Sequence, residues 1–131
     1  MRFTLPLILI TTVLTACSGS HLTAEQKAQR KVNIAQNEAA WAKAQTVNIG
    51  GKLFSVAIVT ERNSALIKPV GDTPSYTVAD VEAASRAVSH CDGTMDAGVL
   101  AFLSGDIRTA NLVDFHDKFS GDFNWLVRLE C

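Results

Sequence analysis

A chain of 131 residues that is 47% hydrophobic carries enough apolar material for one folded core. Its 12 Lys/Arg stand against 13 Asp/Glu, a balance that excludes the strongly basic class of nucleic-acid binder, so no nucleic-acid partner is expected. The charge is unevenly spread, with seven basic and three acidic residues over 18–71 and four basic and ten acidic over 72–131.

Arg2 precedes a short apolar run over residues 3–13, interrupted only by Thr4, Thr11 and Thr12. Roughly 20 apolar residues are needed to span a bilayer, so this run is too short for a permanent membrane helix. A charged start, a short apolar centre and small residues before a cut are the parts of a secretion signal. The run closes on Leu14-Thr15-Ala16-Cys17, which resembles the lipobox of bacterial lipoprotein precursors. The resemblance covers residues 1–18. It implies removal of a signal peptide over 1–16, lipidation of Cys17 as the mature N-terminus, and a lipidated lead over 17–22. It also implies attachment to the membrane through that lipid, on the periplasmic side of the cell envelope. Ser18 resembles the outer-membrane sorting choice of Gram-negative cells. At about 0.8 kcal/mol per buried methylene, two or three acyl chains make such an anchor stable. The same residues also admit an ordinary signal peptide or an uncleaved anchor.

Thr23-Ala24-Glu25-Gln26 has capping-box spacing and opens a helix of strong formers over 24–44, in an N-terminal segment taken as 23–46. Ala28, Val32, Ala35, Ala39 and Ala42 follow a 4-3-4-3 spacing, with Ile34 and Trp41 to one side. Two arrangements fit. One is a stalk or coiled-coil arm that finds a partner through the seam. The other is a helix lying across its own sheet, anchored by Ile34 and Trp41.

From Val47 the period changes to two, beginning a domain over 47–131. Gly50-Gly51 predicts a two-residue hairpin turn that sets Ile49 opposite Lys52 and Val47 opposite Phe54, with Val47, Ile49, Phe54, Val56 and Ile58 on one face. A third strand is expected over 65–70, with Pro69 at its end or at an edge. Thr77 caps a second helix reaching toward Cys91, with Val78, Val81, Ala84, Ser85 and Val88 on one face. Asp92-Gly93 should end it. A buried strand is expected over 99–103, a short helix over 111–119, a turn at 120–122, and a last strand in which Phe123, Trp125, Val127 and Leu129 alternate with polar residues. The fold class is therefore α+β. About five strands form an antiparallel or mixed sheet packed against one long and one short helix, covered mainly on one face.

If Cys17 carries lipid, as the resemblance implies, Cys91 and Cys131 are left in an oxidising compartment and read as one disulfide. Its loop of about 40 residues would be worth roughly 4 kcal/mol on the chain-entropy model. The competing reading makes Cys91 a nucleophile beside His90 and Asp92. Neighbours on a helix point about 100° apart, which argues against such a triad. His116-Asp117, with Asp114 and Asp122, suggests a metal site, but ligands must converge on one point and these lie in a polar region where side chains diverge. His21 lies in the lead. No Gly-x-Ser-x-Gly elbow is present. No catalytic residue, metal or cofactor is assigned. The basic half beside the lipid either orients the domain over anionic headgroups, at about 1 kcal/mol per charge, or neutralises the acidic half inside the fold. The expected function is non-catalytic docking on another envelope protein. Two alternatives remain: an exported inhibitor or binding module using the acidic half, and a small thiol enzyme using Cys91 and His90.

Overall fold

The computed structural model describes residues 21–96, 98, 106–118 and 123–131. The expected signal and lipobox, the strand over 99–103 and the turn at 120–122 lie outside them. Helix α1 spans Ala24–Trp41, and strands β1, β2 and β3 span Gln45–Ile49, Lys52–Val59 and Ser64–Pro69. Helix α2 covers Val78–Ser89, β4 Asp92–Met95, a one-turn helix α3 Val113–His116, and β5 Trp125–Glu130. The five strands form one sheet in the order β1-β2-β3-β5-β4, every pairing antiparallel. This is the α+β architecture expected from the hydrophobic periods.

The hairpin has the predicted register, with Val47 opposite Phe54 and Ile49 opposite Lys52. Gly50 and Gly51 both adopt positive φ, at 59° and 84°, as a primed turn requires. Pairing then carries Phe54, Val56 and Ile58 across to Pro69, Ile67 and Ala65, and those to Trp125 and Val127 on β5. All of these residues share one sheet face. Helix α2 lies on that face through Val78, Val81, Ala84 and Ser85, which are buried. Each large apolar side chain fully removed from water here contributes about 1.5–3 kcal/mol before ordering costs.

Most of the cover is on that face, as expected, but the second face is not bare. Ala57 and Val59 of β2 and Leu66 of β3 form a smaller buried cluster with Ala40, against which Trp41 and Ala44 pack. The docked face of α1 runs through Asn33, Gln36, Asn37, Ala40, Trp41 and Ala44, while Ala28, Val32, Ala35, Ala39 and Ala42 are all exposed. One indole buries far more apolar area than several methyl groups. The polar flank is held as well, because Arg62 donates a hydrogen bond to Asn37 Oδ1 and Lys68 Nζ sits 4.6 Å from the centre of the Trp41 ring. Of the two expected anchors, Trp41 serves and Ile34 faces solvent.

β4 corrects an expectation. Helix α2 stops at Ser89, with His90 left-handed at φ 59°, and the chain enters a strand at once. Asp and Gly are poor strand formers, but Gly93 faces α2 so closely that a side chain would collide. A Cβ there would lie 2.5 Å from Ser85 Oγ and 2.7 Å from Val127 Cγ1. The missing side chain is what lets the end of α2 lie against this edge of the sheet.

Candidate functional site

Cys91 follows the end of α2 and Cys131 follows β5, and the β4–β5 ladder brings the two together by pairing Asp92 with Glu130. Their Cα atoms are 4.7 Å apart and their sulfurs are at disulfide distance. A paired sulfur is not a nucleophile, so the geometry removes the basis of the His90-Cys91-Asp92 reading. Asp92 is turned instead to Arg86, 3.1 Å away on the surface.

His116 and Asp117 line a cleft of about 340 Å³ together with Asp72, Thr73, Pro74 and Tyr76. Two contacts hold its walls in place. Leu112 N–H donates to the Tyr76 carbonyl at 2.8 Å, and Tyr76 N–H donates to Asn111 Oδ1 at 3.3 Å. The Tyr76 ring packs edge-on to Phe54, and its hydroxyl accepts a 2.8 Å bond from Trp125 Nε1 in the core. Burial pushes the phenol's pKa up. The Trp125 bond opposes this and the Asp117 carboxylate adds to it, so Tyr76 stays neutral. His116 Nδ1 is 3.9 Å from Asp117 Oδ1, too far for a hydrogen bond, and the imidazole stands edge-on to Phe123. No group of three His, Cys, Asp or Glu side chains among the described residues is placed to hold a metal. Asp114 lies on α3 beside His116, and Asp122 lies outside the described residues. His21 is exposed ahead of α1. Sequence reasoning missed Tyr76, whose place at the cleft depends on the Asn111 and Trp125 contacts.

Asp80 joins the two halves of the chain, its Oδ2 accepting from Lys52 Nζ at 2.7 Å and from Thr77 N–H at 2.9 Å. Burial alone would raise its pKa, but the bonds from Lys52 and Thr77 outweigh burial and hold the carboxyl below its ordinary value. A folded-state pKa below the unfolded one contributes stability that is present above the unfolded value, about 4, and lost as pH falls below it. Asp80→Asn should therefore flatten the acid side of the stability profile. In urea titrations at about pH 5 and pH 3, the variant is expected to lose less of its midpoint between the two than the parent protein does. An equal loss in both would show that Asp80 contributes nothing to acid sensitivity.

The outer side of α1 is the other distinctive surface. Val32 is 47% exposed there, and Ala28, Ala35, Ala39 and Ala42 are exposed with it. Around them Lys27, Arg30, Lys31 and Lys43 face solvent. No described helix is long and apolar enough to cross a membrane. Compared with known proteins, the chain matches no protein family, no curated protein and no solved structure.

Proposed function

We propose that the chain is a lipid-anchored protein of the cell envelope whose α+β domain docks a second envelope protein through the outer side of α1. The observation that carries this is the way α1 is used. The sheet takes the Ala40–Trp41 side, and the regular Ala28-Val32-Ala35-Ala39-Ala42 seam is left to solvent. Single exposed apolar residues need no explanation, but a spaced seam on the element nearest the anchor is the kind of surface that receives another helix. Acylation at Cys17 would hold this face within one short lead of the membrane, on the periplasmic side, with the outer membrane favoured by Ser18. The exposed lysines and arginine of α1 then lie near the headgroups.

The test is crosslinking in intact cells, with a photoreactive residue at Ala35 of the full chain. A discrete adduct is expected. It should be lost when Val32→Asp and Ala39→Asp are combined, while the thermal midpoint stays within a few degrees of the parent, because both positions are exposed. Cys17→Ala should release the protein from the membrane fraction. An adduct that survives the paired aspartates would end the docking reading, and a Cys17→Ala chain that stays with the membrane would end the anchor.

A further inference from the structure

Beside the docked flank of α1, the second face of the sheet carries a group of hydrogen-bond donors that the described residues leave only partly satisfied. Arg62 ends the helical turn Thr60–Arg62, Ser64 opens β3, and Arg128 lies opposite Ser64 in the β3–β5 ladder. These three, with Leu126 and Asp96, line a cleft of about 140 Å³. Ser64 is 6% exposed and its Oγ has no hydrogen-bond partner, and the same holds for the buried Arg62 Nε, whose guanidinium is tied to Asn37 through Nη2 alone. Gln36 Oε1, the other buried orphan among the described residues, is an acceptor and does not line this cleft. A buried donor left unsatisfied is costly, so two at one small cleft ask for an acceptor.

Arg128 supplies the third donor. Among the described residues its guanidinium has neither a hydrogen bond nor an ion pair. Asp96 lines the same cleft but makes no ion pair with it; its Oδ1 accepts from Gly98 N–H at 3.1 Å. An orphan N–H, an orphan hydroxyl and a free planar guanidinium share one chemistry: each donates to an oxygen anion. The guanidinium fork matches a carboxylate in particular, taking its two oxygens side by side. Asp96 on the rim disfavours a doubly charged ligand. The cleft continues into a second of about 250 Å³, which Arg128 and Asp96 share with Thr94, Met95 and Glu130. That space gives room for the short body of the ligand, with Leu126 as the apolar wall of the first cleft.

We infer that Arg62, Ser64 and Arg128 form a binding site for the carboxylate of a small organic acid. The site lies on the part of the sheet that α1 leaves open and is independent of docking through α1's outer side. The test follows the arginine Nε–H signals of the full, oxidised chain by NMR during titration with sodium butyrate and, separately, with inorganic phosphate. Butyrate should shift the Arg62 and Arg128 signals together and saturably. Arg128→Gln should weaken binding at least tenfold, Arg128→Lys should restore it only in part because the fork is lost, and Ser64→Ala should weaken it severalfold. Arg108→Gln, which alters an arginine paired with Glu82 elsewhere, should change nothing. Saturable shifts absent at tens of millimolar butyrate would overturn the site. Equal weakening by Arg108→Gln would reduce it to a general charge effect, and tighter binding of phosphate than of butyrate would overturn the carboxylate assignment.

Discussion

Replacing Cys91 with serine is expected to lower the thermal midpoint of the full chain by on the order of 15 °C. The pair spans 40 residues, and releasing that constraint on the unfolded chain costs about 4 kcal/mol. For a domain of this size each kcal/mol moves the midpoint by roughly 4 °C. The native state also loses support locally. β4 has four residues and, among the described strands, pairs only with β5, which Cys131 directly follows. Amide exchange in Thr94 and Met95 should therefore accelerate more than in β2. Cys131→Ser should match Cys91→Ser, and the double variant should be no worse than either single one, because the same bridge is lost once. Reduction of the parent protein should reproduce the shift. A reduced protein melting at the oxidised midpoint would show that the pair contributes nothing to stability.

Gly93→Ala is expected to cost about 3 kcal/mol, at the upper end of what overpacking does. One added methyl group meets Ser85 Oγ at 2.5 Å and Val127 Cγ1 at 2.7 Å, and both of those residues are fully buried. Neither gives way easily. The Ser85 hydroxyl donates to the Glu82 carbonyl at 2.8 Å inside α2, and Val127 sits on the central strand of the β3-β5-β4 group. Adding Ser85→Ala should recover roughly half of the loss by removing one of the two collisions, a coupling of about 1 kcal/mol or more. Urea titration of the two singles and the double measures it. A Gly93→Ala variant within about 0.5 kcal/mol of the parent, the range of an ordinary surface change, would show that α2 is not held close by this glycine.

The parts of the fold readable in the sequence were those written locally. The Gly50-Gly51 turn and the period of two around it specify a hairpin register to the residue, and alternation in Trp125, Val127 and Leu129 marks β5. Thr23 and Thr77 mark both long helices at their starts. The parts that were not readable depend on what lies across space. β4 is made of Asp92, Gly93, Thr94 and Met95, and it is a strand because β5 offers a ladder and α2 needs the empty Gly93 position. The sequence left the docked face of α1 open between the spaced seam of small residues and the Ile34–Trp41 side, and the sheet selects the side that carries Trp41. The Cys91–Cys131 pairing was legible by counting thiols. The Arg62, Ser64 and Arg128 cluster was not, because only the placement of β5 beside β3 brings Arg128 to the other two.

That placement also governs the order in which the protein can be completed. β5 is made after every strand it touches, yet it stands between β3 and β4. Until it emerges, β3 and β4 lack the strand that joins them among the described residues, and the β1-β2-β3 meander is the part of the sheet that can form from contacts close in sequence. Long-range pairings of this kind close slowly. The sheet is thus a structure that a growing chain cannot finish early.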